Sequence, residues 1–247
     1  MNNTSDSRWA GLSASPGSAW FVVAVVALTI TSIAQGQSTF QNLDFEYAVV
    51  PTIPPAQPQF IPFINAFPGW NGVTNPAAEA GYNGISLGAA SLSIIDLHTS
   101  FYSNWVIEGN FTAVLQSGNV NPPQNYGPAS LFQTGLIPLG TRSLLFGASG
   151  GTYGYETNFF VSINGNDIPY TRLGIGPNFV GYGADLTDFA GQTVEVRFTS
   201  RPSPSSLFTT VFLDDIQFST SIVPEPGVAA LSLLGLAVLA GWRLRRR

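Results

Sequence analysis

The sequence predicts an all-β fold, arranged as a single jelly-roll-type β-sandwich. Short runs rich in β-branched and aromatic residues recur along the central part of the chain, with turn-forming residues between them. No amphipathic helical pattern of normal length lies between the apolar segments near the two ends. The chain also has 26 glycines and 18 prolines among 247 residues, which is typical of a protein with many turns. Many short strands at such spacing are typical of sandwiches and jelly rolls.

The predicted strands begin at residues 40–46. The proline-rich stretch 49–69 is predicted to be a loop with one edge strand and no helix. Further strands are predicted at 84–87, 91–97, 103–107, 111–116, 129–134, 142–148, 158–164, 168–173, 178–183, 193–200 and 207–218. Asn164-Gly165 between two β-type runs predicts a hairpin turn.

Alternation is clearest in the run 193–198. Val194, Val196 and Phe198 face one side of a strand there, and the charged residues between them face the other. This pattern predicts a strand with one face in the core.

Residues 1–36 are predicted to be a signal peptide that forms a helix. A polar start carrying Arg8 precedes an uncharged apolar run at 18–33, and small residues follow. Cleavage is predicted after Ala34 or Gly36, which leaves a β-sandwich ectodomain at residues 37–221. The alternative is an uncleaved signal anchor, which the shortness of the apolar run disfavours.

Residues 222–247 are predicted to be a sorting and anchor segment in three parts. The stretch 223–226 is rigid because of its two prolines, 227–242 is an apolar transmembrane helix, and 243–247 is a basic tail. The helix would span roughly 24 Å, against a hydrocarbon core of about 30 Å. Residues at the membrane boundary help to close this gap by snorkelling, and those predicted to anchor the helix on the cytoplasmic side are Trp242, Arg243, Arg245, Arg246 and Arg247.

This order of motif, apolar helix and arginines resembles the PEP-CTERM sorting signal of diderm bacteria. The motif itself is Pro224-Glu225-Pro226, and the resemblance covers about the last tenth of the chain. It implies recognition and cutting by an exosortase, a membrane-embedded cysteine protease, in an envelope linked to exopolysaccharide production. The alternatives are a simple tail anchor or a buried core helix, and four terminal arginines disfavour the second.

Composition excludes several classes of function. The chain contains no cysteine, which excludes disulfides, thiol catalysis and zinc–thiolate sites. Charged residues make up 9% of the chain, and there is no lysine. Residues 35–222 hold four arginines against twelve acidic residues, a net charge near −8. Because no basic patch exists to neutralise phosphates, nucleic acid is excluded as a partner.

A second resemblance covers most of residues 40–220. The stretches 42–46, 68–70, 184–198 and 212–218 look like those of galactose-binding-like jelly rolls, of which carbohydrate-binding modules are the best-known members. Such modules often hold a structural calcium ion. Carried over, Glu46 and Asp215 would be its ligands.

The residues themselves also draw attention to Asp44, Glu46, Asp214 and Asp215. If the first and last strands lie close together, these acids meet with few cations near them. A bound Ca²⁺ would then supply positive charge and be coordinated by the carboxylate oxygens. Strand alternation predicts that Asp214 and Asp215 point to opposite faces, so that at most one aims at an ion. The alternative is one solvated carboxylate and one that caps backbone.

Catalytic candidates are weak. Asp96 and His98 fall on one strand face, but a single histidine without a marked nucleophile is more often a surface residue. Glu108 and Glu156 could form a glycosidase pair, although no motif marks them. The Gly-rich loop 147–155 carries Tyr153 and Tyr155, whose rings could stack on sugars.

The sequence therefore predicts an exported, non-enzymatic protein, anchored at the cell envelope with its ectodomain outside, or released to the extracellular matrix after processing. Its role is structural or adhesive, with exopolysaccharide as a candidate ligand. The alternative is a glycan-active hydrolase on the same scaffold.

Overall fold

The computed structural model describes residues 39–52, 59–74, 78–84, 89–98, 103–121, 125–150, 158–202 and 207–223. The predicted signal peptide, transmembrane helix and basic tail lie outside these residues. Within them, no helix is long and apolar enough to cross a membrane. The described chain is all-β, with one short helix, α1 (Phe63–Ala66), and brief 3-10 turns at Ser103–Trp105 and Thr187–Phe189.

Most of the chain in these ranges forms strands. In chain order they are β1 (Gln59–Pro62), β2 (Asn71–Val73), β3 (Glu79–Tyr82), β4 (Ser91–Asp96), β5 (Phe111–Gln116), β6 (Gly118–Asn121), β7 (Asn125–Gly127), β8 (Ala129–Leu136), β9 (Ser143–Gly150), β10 (Phe159–Ile163), β11 (Asn166–Ile168), β12 (Tyr170–Ile175), β13 (Val180–Asp185), β14 (Thr193–Ser200) and β15 (Thr210–Ser219).

Two sheets form a sandwich. The larger has eight strands in the order β1-β3-β4-β5-β15-β9-β13-β12, and the smaller has five in the order β11-β10-β14-β8-β2. Pairing is antiparallel except between β3 and β4, which run parallel. Strands β6 and β7 form a separate ribbon. Neither sheet closes into a barrel, since each has two edge strands.

The main core fills the space between the two sheets. Phe146 on β9 packs edge-to-face against Phe159 on β10 and Phe198 on β14, with ring centroids 6.1 and 5.5 Å apart. Val194, Val196 and Phe198 are buried on β14 while the charged residues between them are half-buried, as the alternation predicted.

A second apolar cluster covers the outer face of the larger sheet. Ile95, Val114 and Phe212 point away from the main core and are buried by the segment 103–107. Trp105 stacks on Phe212 with centroids 4.8 Å apart. The side-chain amide of Asn178 donates to the carbonyl of Val106 at 2.6 Å, which fixes this segment. The central strands are therefore buried on both faces.

Several element predictions are confirmed. Strands 111–116 and 193–200 have the predicted bounds, and the Asn164-Gly165 turn joins β10 to β11 with positive φ at both residues. An edge strand, β1, lies within the proline-rich stretch.

Three predictions of secondary structure are wrong, and the predicted strand 84–87 lies outside the described residues except for Gly84. Residues 40–46 form turns, because Asn42 and Phe45 have positive φ values of 49° and 57°. Residues 103–107 form a 3-10 turn and a loop, because they cover a sheet and do not join one. The stretch 49–69 contains the single helical turn of α1, since the NH of Phe67 bonds to the carbonyl of Phe63 at 2.9 Å.

Candidate functional site

An acidic pocket lies where the two ends of the described domain meet. The backbone NH of Ile216 donates to the carbonyl of Leu43 at 3.2 Å, and the rings of Phe40 and Phe218 are 4.9 Å apart. The sequence predicted this proximity, although the first partner is a turn and not a strand. The acidic pocket has a volume of about 290 Å³ and is lined by Asp44, Glu46, Glu108, Gly109, Asp214 and Asp215.

Asp214 and Asp215 both line this pocket, which corrects the prediction that they point to opposite faces. The pairing of β15 with β9 is regular up to Asp214 and resumes at Gln217, so the strand contains a bulge. Asp215 has a positive φ of 49°, and the bulge interrupts the alternation of side chains there.

Asp214 is the most buried acid of the pocket, with 1% of its surface exposed. One carboxylate oxygen accepts from the Thr112 hydroxyl at 2.6 Å and from the NH of Glu108 at 3.3 Å. The other accepts from the NH of Asp215 at 2.8 Å. Burial raises the pKa of Asp214 to about 8, and the negative charge of Glu46 adds to this, while the three hydrogen bonds act in the opposite direction. Burial outweighs the hydrogen bonds because their donors are neutral.

Glu46 fixes the loop that precedes β5. One oxygen of its carboxylate accepts from the backbone NH groups of Asn110 and Phe111 at 2.7 and 3.0 Å, and the other from the Asn110 side chain at 2.8 Å. Gly109 lies against the same carboxylate, since a Cβ there would be 2.3 Å from an oxygen of Glu46. Glu46 therefore caps the backbone of this loop.

The donor chemistry of the acidic pocket suits a hard cation, because every side-chain donor is a carboxylate oxygen. Glu46 and Asp215, the predicted calcium ligands, both line it. However, across the ranges described above, no three acidic or histidine side chains are grouped as metal ligands. The Asp215 carboxylate accepts a hydrogen bond from the Gln217 amide. An ion would therefore have to replace hydrogen bonds that these oxygens make.

Asp96 and His98 lie apart from the acidic pocket, at the end of β4. The Asp96 carboxylate accepts from the Tyr82 hydroxyl and from the backbone NH of His98, the latter at 3.1 Å. The His98 side chain is exposed. Of the two glutamates considered as a glycosidase pair, Glu108 lines the acidic pocket and Glu156 falls outside the described residues.

Most of the large aromatic residues that the structure describes pack in the interior. Trp70 is 6% exposed, stacks on Phe45 and donates its indole NH to the carbonyl of Asn42 at 2.8 Å. Tyr82 and Tyr182 are buried. The candidate sugar-stacking residues Tyr153 and Tyr155 lie outside the described residues, as do the motif Pro224-Glu225-Pro226 and the anchor residues Trp242, Arg243, Arg245, Arg246 and Arg247.

Sequence reasoning missed Gly109, which lines the acidic pocket, and Thr112, whose hydroxyl donates to Asp214. Thr112 is a polar residue between apolar neighbours on β5 and is fully buried, so its hydroxyl needs an internal partner. That position was a signal in the sequence. Gly109 carried no comparable signal, because its role depends on the approach of Glu46 from a distant part of the chain.

Comparisons with known proteins leave the family open. No family model matches the chain, and no curated protein matches it. Among solved structures, the chain is similar to the secreted serine protease VesC from Vibrio cholerae, with 17% identity, a TM-score of 0.28, and coverage of 53% of this chain and 29% of that one. It is also similar to the K2 cleaved adhesin domain of Lys-gingipain, with 14% identity, a TM-score of 0.37, and coverage of 66% and 99%. The chain thus spans less than a third of the VesC structure.

Proposed function

We propose that the protein is exported and sorted by a PEP-CTERM signal. The signal delivers the β-sandwich to the envelope or the extracellular matrix, where the sandwich has a structural or adhesive, polysaccharide-binding role. The tail serves as the membrane anchor and as the substrate of an exosortase-type protease. The proposal assigns no catalytic activity to the sandwich.

The observation that carries this proposal is the order along the chain, in which the Pro-Glu-Pro motif, the apolar run and the arginines follow directly on the last described residues of the β-sandwich. After β15, the carbonyl of Ser221 accepts from the Ser143 hydroxyl at 2.8 Å, and the carbonyl of Ser219 accepts from the NH of Arg142 at 2.7 Å. Val223 still packs on the sheet, since a Cβ at Gly183 would be 2.7 Å from its side chain. Pro224, the first residue of the motif, is the next residue in the sequence.

Tail processing tests the sorting part. Pro224, Glu225 and Pro226 are replaced by alanine in a host that contains an exosortase, and the mass of the exported chain is measured. The variant should keep its tail, while the wild type loses it. A control that replaces Pro202 and Pro204, another Pro-x-Pro sequence, should be processed normally. Equal processing of the motif variant and the wild type would contradict the proposal.

A glycan array that includes the exopolysaccharide of the host tests the binding part. Binding without release of reducing sugar is the expected result. Release of sugar would support the alternative, a glycan-active hydrolase. A blank array would remove polysaccharide binding and leave a structural role.

The proposal includes a structural calcium ion in the acidic pocket. It is supported by the oxygen-only donor set and by the buried carboxyl of Asp214, whose charged form a cation would stabilise. Thermal melts with added Ca²⁺ and with a chelator test it. The melting temperature should rise with Ca²⁺ and not with equal Mg²⁺, and identical melts would exclude the ion.

A further inference from the structure

A second pocket opens where β3 and β4 end and β5 begins, and we call it the Tyr82–Asp96 pocket. It has a volume of about 250 Å³ and is lined by the segment 50–52 together with Tyr82, Asp96, His98 and Phe111. None of its lining residues lines the acidic pocket. Pairing places its residues: Tyr82 lies beside Ile94 in the parallel pair, and Asp96 lies opposite Phe111.

The polar floor of this pocket is held in one position. Asp96 is 2% exposed, and its carboxylate accepts from the Tyr82 hydroxyl and from the NH of His98. The backbone NH of Asp96 donates to the Asn83 side chain at 3.1 Å. Tyr82 itself is fully buried. The carboxylate is therefore a hydrogen-bond acceptor whose position is set before any ligand arrives.

Stability alone does not account for this arrangement. Burying a carboxylate is costly, and well-packed apolar side chains of similar volume generally serve a core as well or better. The neighbouring positions on β4, Leu92 and Ile94, are apolar and fully buried. A carboxylate that is fixed at the base of an open pocket instead has the properties of a group that orients a ligand.

The side chains that form the walls of the pocket indicate which further groups a ligand would carry. The ring of Phe111 and the side chains of Val50 and Pro51 are apolar, while Thr52 and His98 add polar groups. A matching ligand has an apolar face and hydroxyl groups that donate to a carboxylate. The volume is below the roughly 300 Å³ at which pockets enclose drug-sized molecules, which limits the ligand to about one ring.

Charge selects further among such ligands. No lysine or arginine lines the pocket, and Asp96 would repel an anion. A uronic acid or a phosphorylated sugar is therefore disfavoured, whereas a neutral sugar carries no penalty.

We propose that the Tyr82–Asp96 pocket binds one neutral sugar ring of a polysaccharide, with Asp96 accepting from its hydroxyls and Phe111 contacting its C–H face. This inference rests on the proposed polysaccharide-binding role and assigns that role to a place on the molecule.

The test uses the full-length chain in detergent and isothermal titration with two kinds of probe, neutral glucan, galactan and mannan oligosaccharides and oligosaccharides of a polyuronate. Asp96→Asn and His98→Ala are compared with Asp188→Asn, which changes an exposed aspartate far from the pocket in the chain. The wild type and Asp188→Asn should bind at least one neutral probe. Both pocket variants should lose at least tenfold in affinity.

His98→Ala keeps the result interpretable if Asp96→Asn fails to fold, because the His98 side chain is exposed. Neutral binding that both pocket variants retain would overturn the pocket and leave polysaccharide binding intact. Stronger binding of the polyuronate would overturn the charge argument and with it the pocket. Absence of any saccharide binding by the wild type would overturn both this inference and the polysaccharide-binding part of the proposed function, while the sorting part is tested separately by tail processing.

Discussion

The buried carboxyl of Asp214 predicts an unusual dependence of stability on pH. In the folded protein its pKa is raised from 3.8 to about 8, and in the unfolded chain it returns to about 4. Between these two values the folded state binds one more proton than the unfolded state. The free energy of unfolding should therefore fall as the pH rises through this window. The stabilisation that comes from the extra bound proton is fully lost above the folded pKa.

The expected size is large compared with the stability of a domain. Each pH unit inside the window contributes about 1.4 kcal/mol, so the free energy of unfolding should fall by about 4 kcal/mol from pH 5 to pH 8. Typical domains are stable by about 5–15 kcal/mol. The effect should be measurable by urea unfolding at pH 5, 6, 7 and 8 in the presence of a chelator, which removes the proposed calcium ion.

Asp214→Asn is the matching variant. Asparagine cannot titrate, so the free energy of unfolding of the variant should change much less between pH 5 and pH 8. At pH 5 the variant should be less stable by about 1–3 kcal/mol, because the amide nitrogen cannot accept from the Thr112, Glu108 or Asp215 donor that it faces, whereas both oxygens of the protonated carboxyl can accept. The slope with pH is the decisive quantity, and Asp188→Asn should keep the slope of the wild type.

Two results would refute this reasoning. The first is a wild type whose stability is flat or rises from pH 5 to pH 8 in chelator. The second is an Asp214→Asn variant with the slope of the wild type. Added Ca²⁺ at pH 8 should raise the stability of the wild type by more than that of the variant, which links this measurement to the calcium proposal.

Two further predictions concern the segment 103–110, which covers the larger sheet and lines the acidic pocket with Glu108 and Gly109. Gly109→Ala should lower the free energy of unfolding by more than Gly140→Ala. Both positions have positive φ, which costs about 1–2 kcal/mol for alanine, but only a Cβ at Gly109 would meet Glu46, at 2.3 Å. Equal losses of stability in urea unfolding would contradict the contact with Glu46. Trp105→Ala should lower the free energy of unfolding by about 2 kcal/mol, which is less than for a fully buried tryptophan because Trp105 is half-buried. It should also speed hydrogen exchange in residues 103–110 while β14 stays protected. Unchanged exchange would show that stacking on Phe212 does not hold the segment.

Much of the fold could be predicted from the sequence, because strands with one or two apolar faces carry a local pattern. The run 193–200 alternates, and the run 111–116 is bounded by turn residues, so both strands have their predicted bounds. Residues 40–46 have a similar composition but form turns, with positive φ at Asn42 and Phe45, and they contact the last strand through a hydrogen bond from Ile216 to Leu43. The segment 103–107 resembles a strand in composition because its apolar residues Trp105, Val106 and Ile107 cover a sheet.

The acidic pocket could be predicted only in part. The acids near the two ends of the domain indicated that Glu46, Asp214 and Asp215 would meet, and they line one pocket. The bulge after Asp214 could not be predicted, because it depends on the register between β15 and β9. The Tyr82–Asp96 contact joins residues of two parallel strands, and no spacing in the sequence marks it.

The sequence by itself determined the all-β class and the predicted sorting signal at the C-terminal tail. Strand alternation, turn residues and an apolar run followed by arginines are all local patterns. The tertiary structure decided which carboxylates are buried, which backbone they cap and which of them face an open pocket. These properties arise from contacts between residues as far apart in the chain as Thr112 and Asp214. Burial raises the pKa of the Asp214 carboxyl, and it arises only when segments distant in the chain have come together around this side chain.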